Sequence, residues 1–148
     1  MQEPSQVVAE QGIVTEFTLF GNADSMTGAR EAAMDFVRPY FSERERIDVL
    51  IALQEALANA VLHGCQNDAS KTIHCSAVID RSAFTITIRD SGPGFDVEAA
   101  MQSSAAGANL TEHGRGICLM LSVMDEVWYG SGGSEVRLRK LRSTSGER

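Results

Sequence analysis

The spacing of hydrophobic and polar positions changes period several times along this chain. Residues 15–20 alternate, with Phe17 and Leu19 set against Glu16 and Thr18, and predict a first strand. From about Ser25, apolar residues recur at Met26, Ala29, Ala33, Phe36, Val37 and Tyr40, which is helical spacing, and Pro39 marks its end. A second helix is predicted from Ser42 or Glu43 to His63. Ser42 is its N-cap, Glu45 completes a capping box, and Ile47, Leu50, Ile51, Leu57, Ala58 and Val61 form the apolar stripe. Gly64 is the expected stop. Residues 73–80 and 83–90 alternate strongly and predict two strands joined as a hairpin at Asp80-Arg81-Ser82. Ile117, Met120, Leu121 and Met124 mark a third principal helix. Residues 126–129 and 134–139 close the pattern as a hairpin around Gly130-Ser131-Gly132-Gly133, with Val136 and Leu138 alternating against Arg137 and Arg139.

Two stretches lack a clear period. Residues 1–14 read as a flexible lead-in and 142–148 as a polar tail. Between Asp96 and His113 a short helix fits 97–102, but Ser103-Ser104-Ala105-Ala106-Gly107-Ala108-Asn109 is small, polar and unpatterned. Such a long loop inside a compact domain is usually functional or mobile. The order of elements implies an α+β fold over 15–141. It is a two-layer α/β sandwich whose mixed, mostly antiparallel sheet carries its helices on one face.

Composition narrows the function classes. A chain of 148 residues suits one core, and a net charge of -7 argues against sequence-independent binding of nucleic acid while leaving basic protein partners open. Cys65, Cys75 and Cys118 have no metal-ligand spacing and read as free thiols, with Cys75 and Cys118 expected in packed interiors. No apolar run approaches the ~20 residues of a membrane span, and the N-terminus lacks signal-peptide character, so a cytoplasmic location away from membranes is expected.

Three motifs carry chemistry. Glu55, Asn59 and His63 are spaced i, i+4, i+8 and share a helix face beside the apolar stripe. An Asn oxygen suits Mg²⁺, and a Glu one turn away can orient or deprotonate a hydroxyl; a plain polar helix face fits the same residues. In Asp90-Ser91-Gly92-Pro93-Gly94, Asp90 has the parity of Phe84, Ile86 and Ile88 and so points toward the covered layer. A carboxylate there needs a donor, such as the exocyclic amine of adenine, although Asp-Ser-Gly-Pro-Gly is also ordinary turn chemistry. In His113-Gly114-Arg115-Gly116-Ile117 the glycines precede a helix, where backbone amides favour phosphate, and a flexible connection is the competing reading.

In this order, the three motifs resemble the GHKL (Bergerat-fold) ATP-binding superfamily. The Glu-Ala-x-x-Asn-x-x-x-His-Gly form of the first motif, with Met120 to Val127, is similar to the bacterial anti-sigma factor serine kinases. The resemblance implies Glu55 as general base, Asn59 as Mg²⁺ ligand and Asp90 as the acceptor for adenine, with Gly92 and Gly94 shaping the base pocket. It also implies ATP or ADP contacts from His63, Thr111, His113, Gly114, Arg115, Gly116 and Ile117, with an ATP lid from about Gln102 to His113. Arg30 matches an arginine near the family's partner-binding surface. Cys65 departs from the aromatic residue usual after His-Gly, and the lid contains no lysine.

The function so implied is an ATP-dependent protein serine/threonine kinase and anti-sigma factor, a homodimer working by partner switching. It would phosphorylate a STAS-type antagonist, whose added charge weakens their interface, and then hold a sigma factor. The alternative is a nucleotide-gated binding module without useful kinase activity. A fragment of a sensor kinase is a further class, against which stands the lack of a helical dimerisation segment carrying a phosphoacceptor His.

Overall fold

A computed structural model describes residues 5–9, 12–106 and 112–143, with side chains described for 12–102 and 114–143. Six strands form one sheet: β1 (Ser5–Ala9), β2 (Gly12–Gly21), β3 (Asp68–Ile79), β4 (Ala83–Arg89), β5 (Glu126–Gly130) and β6 (Glu135–Leu141). Their spatial order is β1-β2-β3-β4-β6-β5, and all five described pairings are antiparallel, so no parallel pair makes the sheet mixed. The helices are α1 (Met26–Val37), α2 (Glu43–Asn59), α3 (Val97–Ala106) and α4 (Glu112–Val123).

Register explains the two layers. Phe17, Cys75, Ile88, Val136 and Tyr129 lie side by side across five strands, and this row faces the helices. It packs with Ala29, Ala33, Phe36 and Val37 of α1, Val49, Ala52, Leu53, Ala56 and Leu57 of α2, and Ile117 and Met120 of α4 in one core. The next row, Glu16, Ser76, Thr87, Arg137 and Trp128, faces the other way, and the Arg137 guanidinium stacks 4.7 Å from the Trp128 ring centroid. Alternation along each strand therefore separates core from solvent, as the period-2 pattern requires. The turn at Asp80 forms as expected: its Oδ1 accepts from the amides of Ser82 at 2.7 Å and Ala83 at 2.8 Å.

Several expectations are corrected. Part of the lead-in is structured, because Ser5–Ala9 pairs with β2, which begins at Gly12 rather than at 15. Val7 and Val8 supply strand-forming residues, and the adjacent β2 supplies their hydrogen bonds. The buried stripe of α2 keeps Leu57 and Val61 of the expected one but is otherwise rotated: Val49, Ala52, Leu53 and Ala56 are inside, whereas Ile47 is 51% exposed and Ile51 is exposed as well. Small alanines let this helix lie close to the sheet, so the largest apolar residues do not mark its inner face. On α4, Leu121 is exposed, as is Cys118, while Cys65 is fully buried. The unpatterned loop is shorter than expected, because α3 continues to Ala106 and α4 already starts at Glu112. Alanine, the best helix former, carries α3 through a stretch with no hydrophobic periodicity. Residues 107–111 of the expected lid lie outside the described residues.

By length and mean hydropathy alone the continuous helical run Glu43–Gly64 could cross a membrane, contrary to the reading that no segment approaches that length. Here it is the central core helix, and its inward residues are covered by the sheet.

Candidate functional site

The site grows out of the C-terminal end of α2. The start of that helix is fixed by its capping box: Ser42 Oγ accepts from the Glu45 amide at 3.2 Å, and Glu45 Oε1 accepts from the Ser42 amide at 2.9 Å. At the far end, Ala60–Gly64 form a π-helical turn, with the Cys65 amide reaching back to the Ala60 carbonyl at 2.8 Å. Such widened turns concentrate at functional sites because they re-aim side chains without ending the helix. Across this turn His63 lines the same cleft as Asn59. Gln66 and Asn67 then turn the chain with φ of 54° and 55°. Gly64 is the last residue of the π turn and of the whole helical run, so the helix ends where expected.

Close approach is what Gly64 provides. Any Cβ there would run into the Asp90 carboxylate, and a Cβ on Gly92 would overlap the backbone of Gly64. The Asp90 carboxylate thus rests on the π turn, and only glycine at 64 and 92 permits it. Asp90 is held by its own amide, which donates to the Ser134 carbonyl at 2.9 Å, and its Oδ1 accepts from the Gly92 amide at 2.7 Å. Burial raises the Asp90 pKa above its ordinary value, and the bond from Gly92 only partly offsets this. The following segment is pinned by the Phe95 amide on the Gly132 carbonyl at 3.0 Å. Gly94 (φ 76°) passes so near that carbonyl that no side chain could fit.

Asn59, His63, Asp90 and Gly94 line a single cleft between α2 and the sheet, together with Phe95 and Tyr129. Glu55 borders it through Gly116: a Cβ on Gly116 would lie 3.2 Å from Asn59 Nδ2 and 3.5 Å from Glu55 Oε1. The first and third motifs are therefore in contact, and glycine at 116 lets α4 approach the polar face of α2. Both motif glycines are inside α4 rather than before it. Position 116 is the fifth residue of that helix, beyond the first turn whose amides an α-helix leaves without internal partners. Ile117 is fully buried in the core and presents no side chain to the cleft. Arg115 is exposed, Gly114 is buried, and the side chain of His113 is outside the description. Thr111 lies outside the described residues. Arg30 sits elsewhere, in a groove between α1 and α2 with Glu31, Met34, Arg38 and Leu50, and its Nη2 donates to Thr27 Oγ1 at 3.3 Å.

Sequence reasoning did not single out Phe95, Tyr129 or Ser134. Tyr129 had a usable signal: in Val127-Trp128-Tyr129 it shares the parity of Val127, and register aligns it with Val136 and Ile88. Its ring meets Phe95 edge-on, with centroids 5.2 Å apart. The departure at Cys65 also has an account. Its side chain fills the space over Gly21, where a Cβ would collide with it, so a small residue suits this corner.

The cleft has an acidic acceptor at one wall, apolar and aromatic surface between, and an amide and a carboxylate at the other. It fits a flat donor-bearing ring continued by an anionic group. Asn59 Nδ2 is buried without a hydrogen-bond partner. A polar group sheltered in this way belongs in a binding site or costs stability. Asn59 fits Mg²⁺ as one oxygen donor, since Mg²⁺ takes few protein ligands and shares its sphere with phosphates and water.

A two-layer antiparallel sandwich with a cleft of this kind has the architecture of an ATPase-type domain. The chain belongs to the histidine kinase-like ATPase domain family, which matches residues 21–140. It is 36% identical over 85 residues to the anti-sigma F factor of Halalkalibacterium halodurans, covering 56% of this chain and 58% of that protein. It is 30% identical over 106 residues to the anti-sigma F factor of Bacillus thuringiensis, covering 68% of this chain and 73% of that protein. The chain thus spans little more than half the length of the first of these relatives.

Proposed function

We propose that this chain is an ATP-dependent protein serine/threonine kinase that also sequesters a sigma factor. The observation that carries the reading is the Asp90 carboxylate, seated on Gly64 in the same cleft as Asn59. Asp90 accepts the exocyclic amine of adenine, while Phe95 flanks the base. Asn59 would hold Mg²⁺, which when bound would supply charge neutralisation to the phosphates. Glu55, one helical turn from Asn59, orients the attacking hydroxyl of a protein substrate and takes its proton. Phosphoryl transfer is mostly positioning and electrostatics, so one aimed carboxylate suffices for this role. Gly116, whose missing Cβ leaves room beside Asn59 and Glu55, and Arg115, exposed on α4, form the phosphate side of the site.

The relatives' names and the match to an ATPase family support a sigma factor as one partner. A STAS-type antagonist is the phosphate acceptor, and Arg30 contributes to the partner surface of a homodimer. Phosphate on the antagonist adds charge at that interface and releases it, which frees the kinase for the sigma factor. The test is incubation of wild type and Glu55→Ala with radiolabelled ATP, Mg²⁺ and a STAS-domain antagonist from the same genome. Label on a Ser or Thr with wild type, and none with Glu55→Ala despite retained ATP binding, supports the reading. No label with either protein leaves a nucleotide-gated binding module.

A further inference from the structure

Two buried side-chain polar atoms among the described residues have no hydrogen-bond partner: Asn59 Nδ2 and the Tyr129 hydroxyl. They line the same cleft from opposite layers, Asn59 from α2 and Tyr129 from β5. Both unsatisfied groups among the described residues fall at this one place, so one local cause accounts for them together. The Tyr129 ring is fixed by Phe95 and by its position in the sheet, so its hydroxyl is held at a set depth in the cleft. Burial raises the Tyr129 pKa, and the Asn59 side chain works against that rise, which is what an N–H donor near the phenol oxygen does.

An asparagine amide has two chemically different ends: NH₂ only donates, and the carbonyl oxygen only accepts. A hydroxyl can do either. Unless a protein group fixes it, the amide can present either end to the cleft, and only the oxygen binds a hard cation.

We propose that Tyr129 is a positioning residue for Asn59. Its hydroxyl accepts a hydrogen bond from Asn59 Nδ2, which pins the amide so that Oδ1 faces the phosphates and the metal. The inference rests on the reading of Asn59 as the Mg²⁺ ligand. Gly116 supports the same arrangement, since its missing Cβ leaves the amide room to settle beside α4.

The test compares wild type, Tyr129→Phe and Asn59→Ala by calorimetric titration with ATP, in EDTA and across a series of Mg²⁺ concentrations. Phenylalanine keeps the ring contacts with Phe95 and removes one hydroxyl. In Tyr129→Phe the Mg²⁺ concentration giving half of the ATP-binding enhancement rises about three- to tenfold, the worth of one hydrogen bond, while binding in EDTA is unchanged. In the nucleotide-free protein the Asn59 side-chain NH₂ resonances also shift in Tyr129→Phe. An unchanged Mg²⁺ midpoint with unchanged NH₂ resonances overturns the assignment. An equal loss of ATP affinity with and without Mg²⁺ also overturns it, because the hydroxyl would then contact the base. If Asn59→Ala keeps the full Mg²⁺ response, the metal reading of Asn59 fails and the assignment falls with it. If Asn59→Ala loses that response and Tyr129→Phe does not, only the assignment fails.

Discussion

The two ends of α2 follow opposite rules. At its start every polar group of the capping box is satisfied in both directions, and Arg46 Nη1 adds a bond to the Phe41 carbonyl at 2.8 Å. At its other end the helix widens into a π turn, a buried amide has no partner, and a carboxylate whose pKa burial has raised sits on a glycine. The first end is built for stability. The second accepts costs of the kind a bound ligand offsets, which is the signature of a binding site and not of a core. One helix therefore anchors the fold and carries the chemistry, with about four turns of regular α-helix between the two tasks.

Substitutions at the two ends should separate stability from binding. The largest effect is expected from Gly64→Ala, whose Cβ has nowhere to go but into the Asp90 carboxylate. ATP affinity should fall at least ~tenfold and the fold should lose about 1–3 kcal/mol, the usual cost of overpacking. Calorimetry and a denaturant melt would measure the two. At the other end, Ser42→Ala should cost about 1 kcal/mol of stability by removing the cap, with ATP affinity unchanged. If Ser42→Ala alters ATP binding, the division between the ends is wrong.

A smaller, graded effect comes from pH. Asp90 holds its proton more tightly in the folded chain than in the unfolded one. Its contribution to stability is therefore greatest below the unfolded value, about 3.9, and is lost as pH rises through the raised folded value. In the proposed reading binding runs the other way, because an adenine amine would donate to the ionised carboxylate. ATP affinity should weaken as pH falls through that same window, above the ordinary carboxylate range, and a titration series from neutral to acid pH would show it.

How much of this was legible in the sequence depends on the kind of signal. The capping box, the Asp80 turn, the inward parity of Asp90 and the alternation of Val136 with Arg137 are local rules, and each appears as read. The three motifs also suffice to place the family, since their order carries information that none has alone. What failed was long-range. The face of α2 could not be read from its largest apolar residues, because Ala52 and Ala56 pack where Ile47 and Ile51 do not. Gly64 ends the helix as read, but its second role, the close approach of Asp90, depends on a residue 26 positions later. The glycines of the third motif looked like a turn because glycine disfavours helix, yet contact with Asn59 and Glu55 explains a glycine inside α4. Tyr129 joins the cleft only through sheet register, which no local window contains.

The most direct test of the central claim is calorimetric titration of wild type and Asp90→Asn with ATP, beside a thermal melt of each. Asparagine keeps the shape and loses the charge. The account predicts that Asp90→Asn loses roughly ten- to a hundredfold in ATP affinity, the worth of a hydrogen bond to a charged group, while melting at or above the wild-type temperature at neutral pH. Wild-type ATP affinity in Asp90→Asn, or no binding by folded wild type, would contradict it.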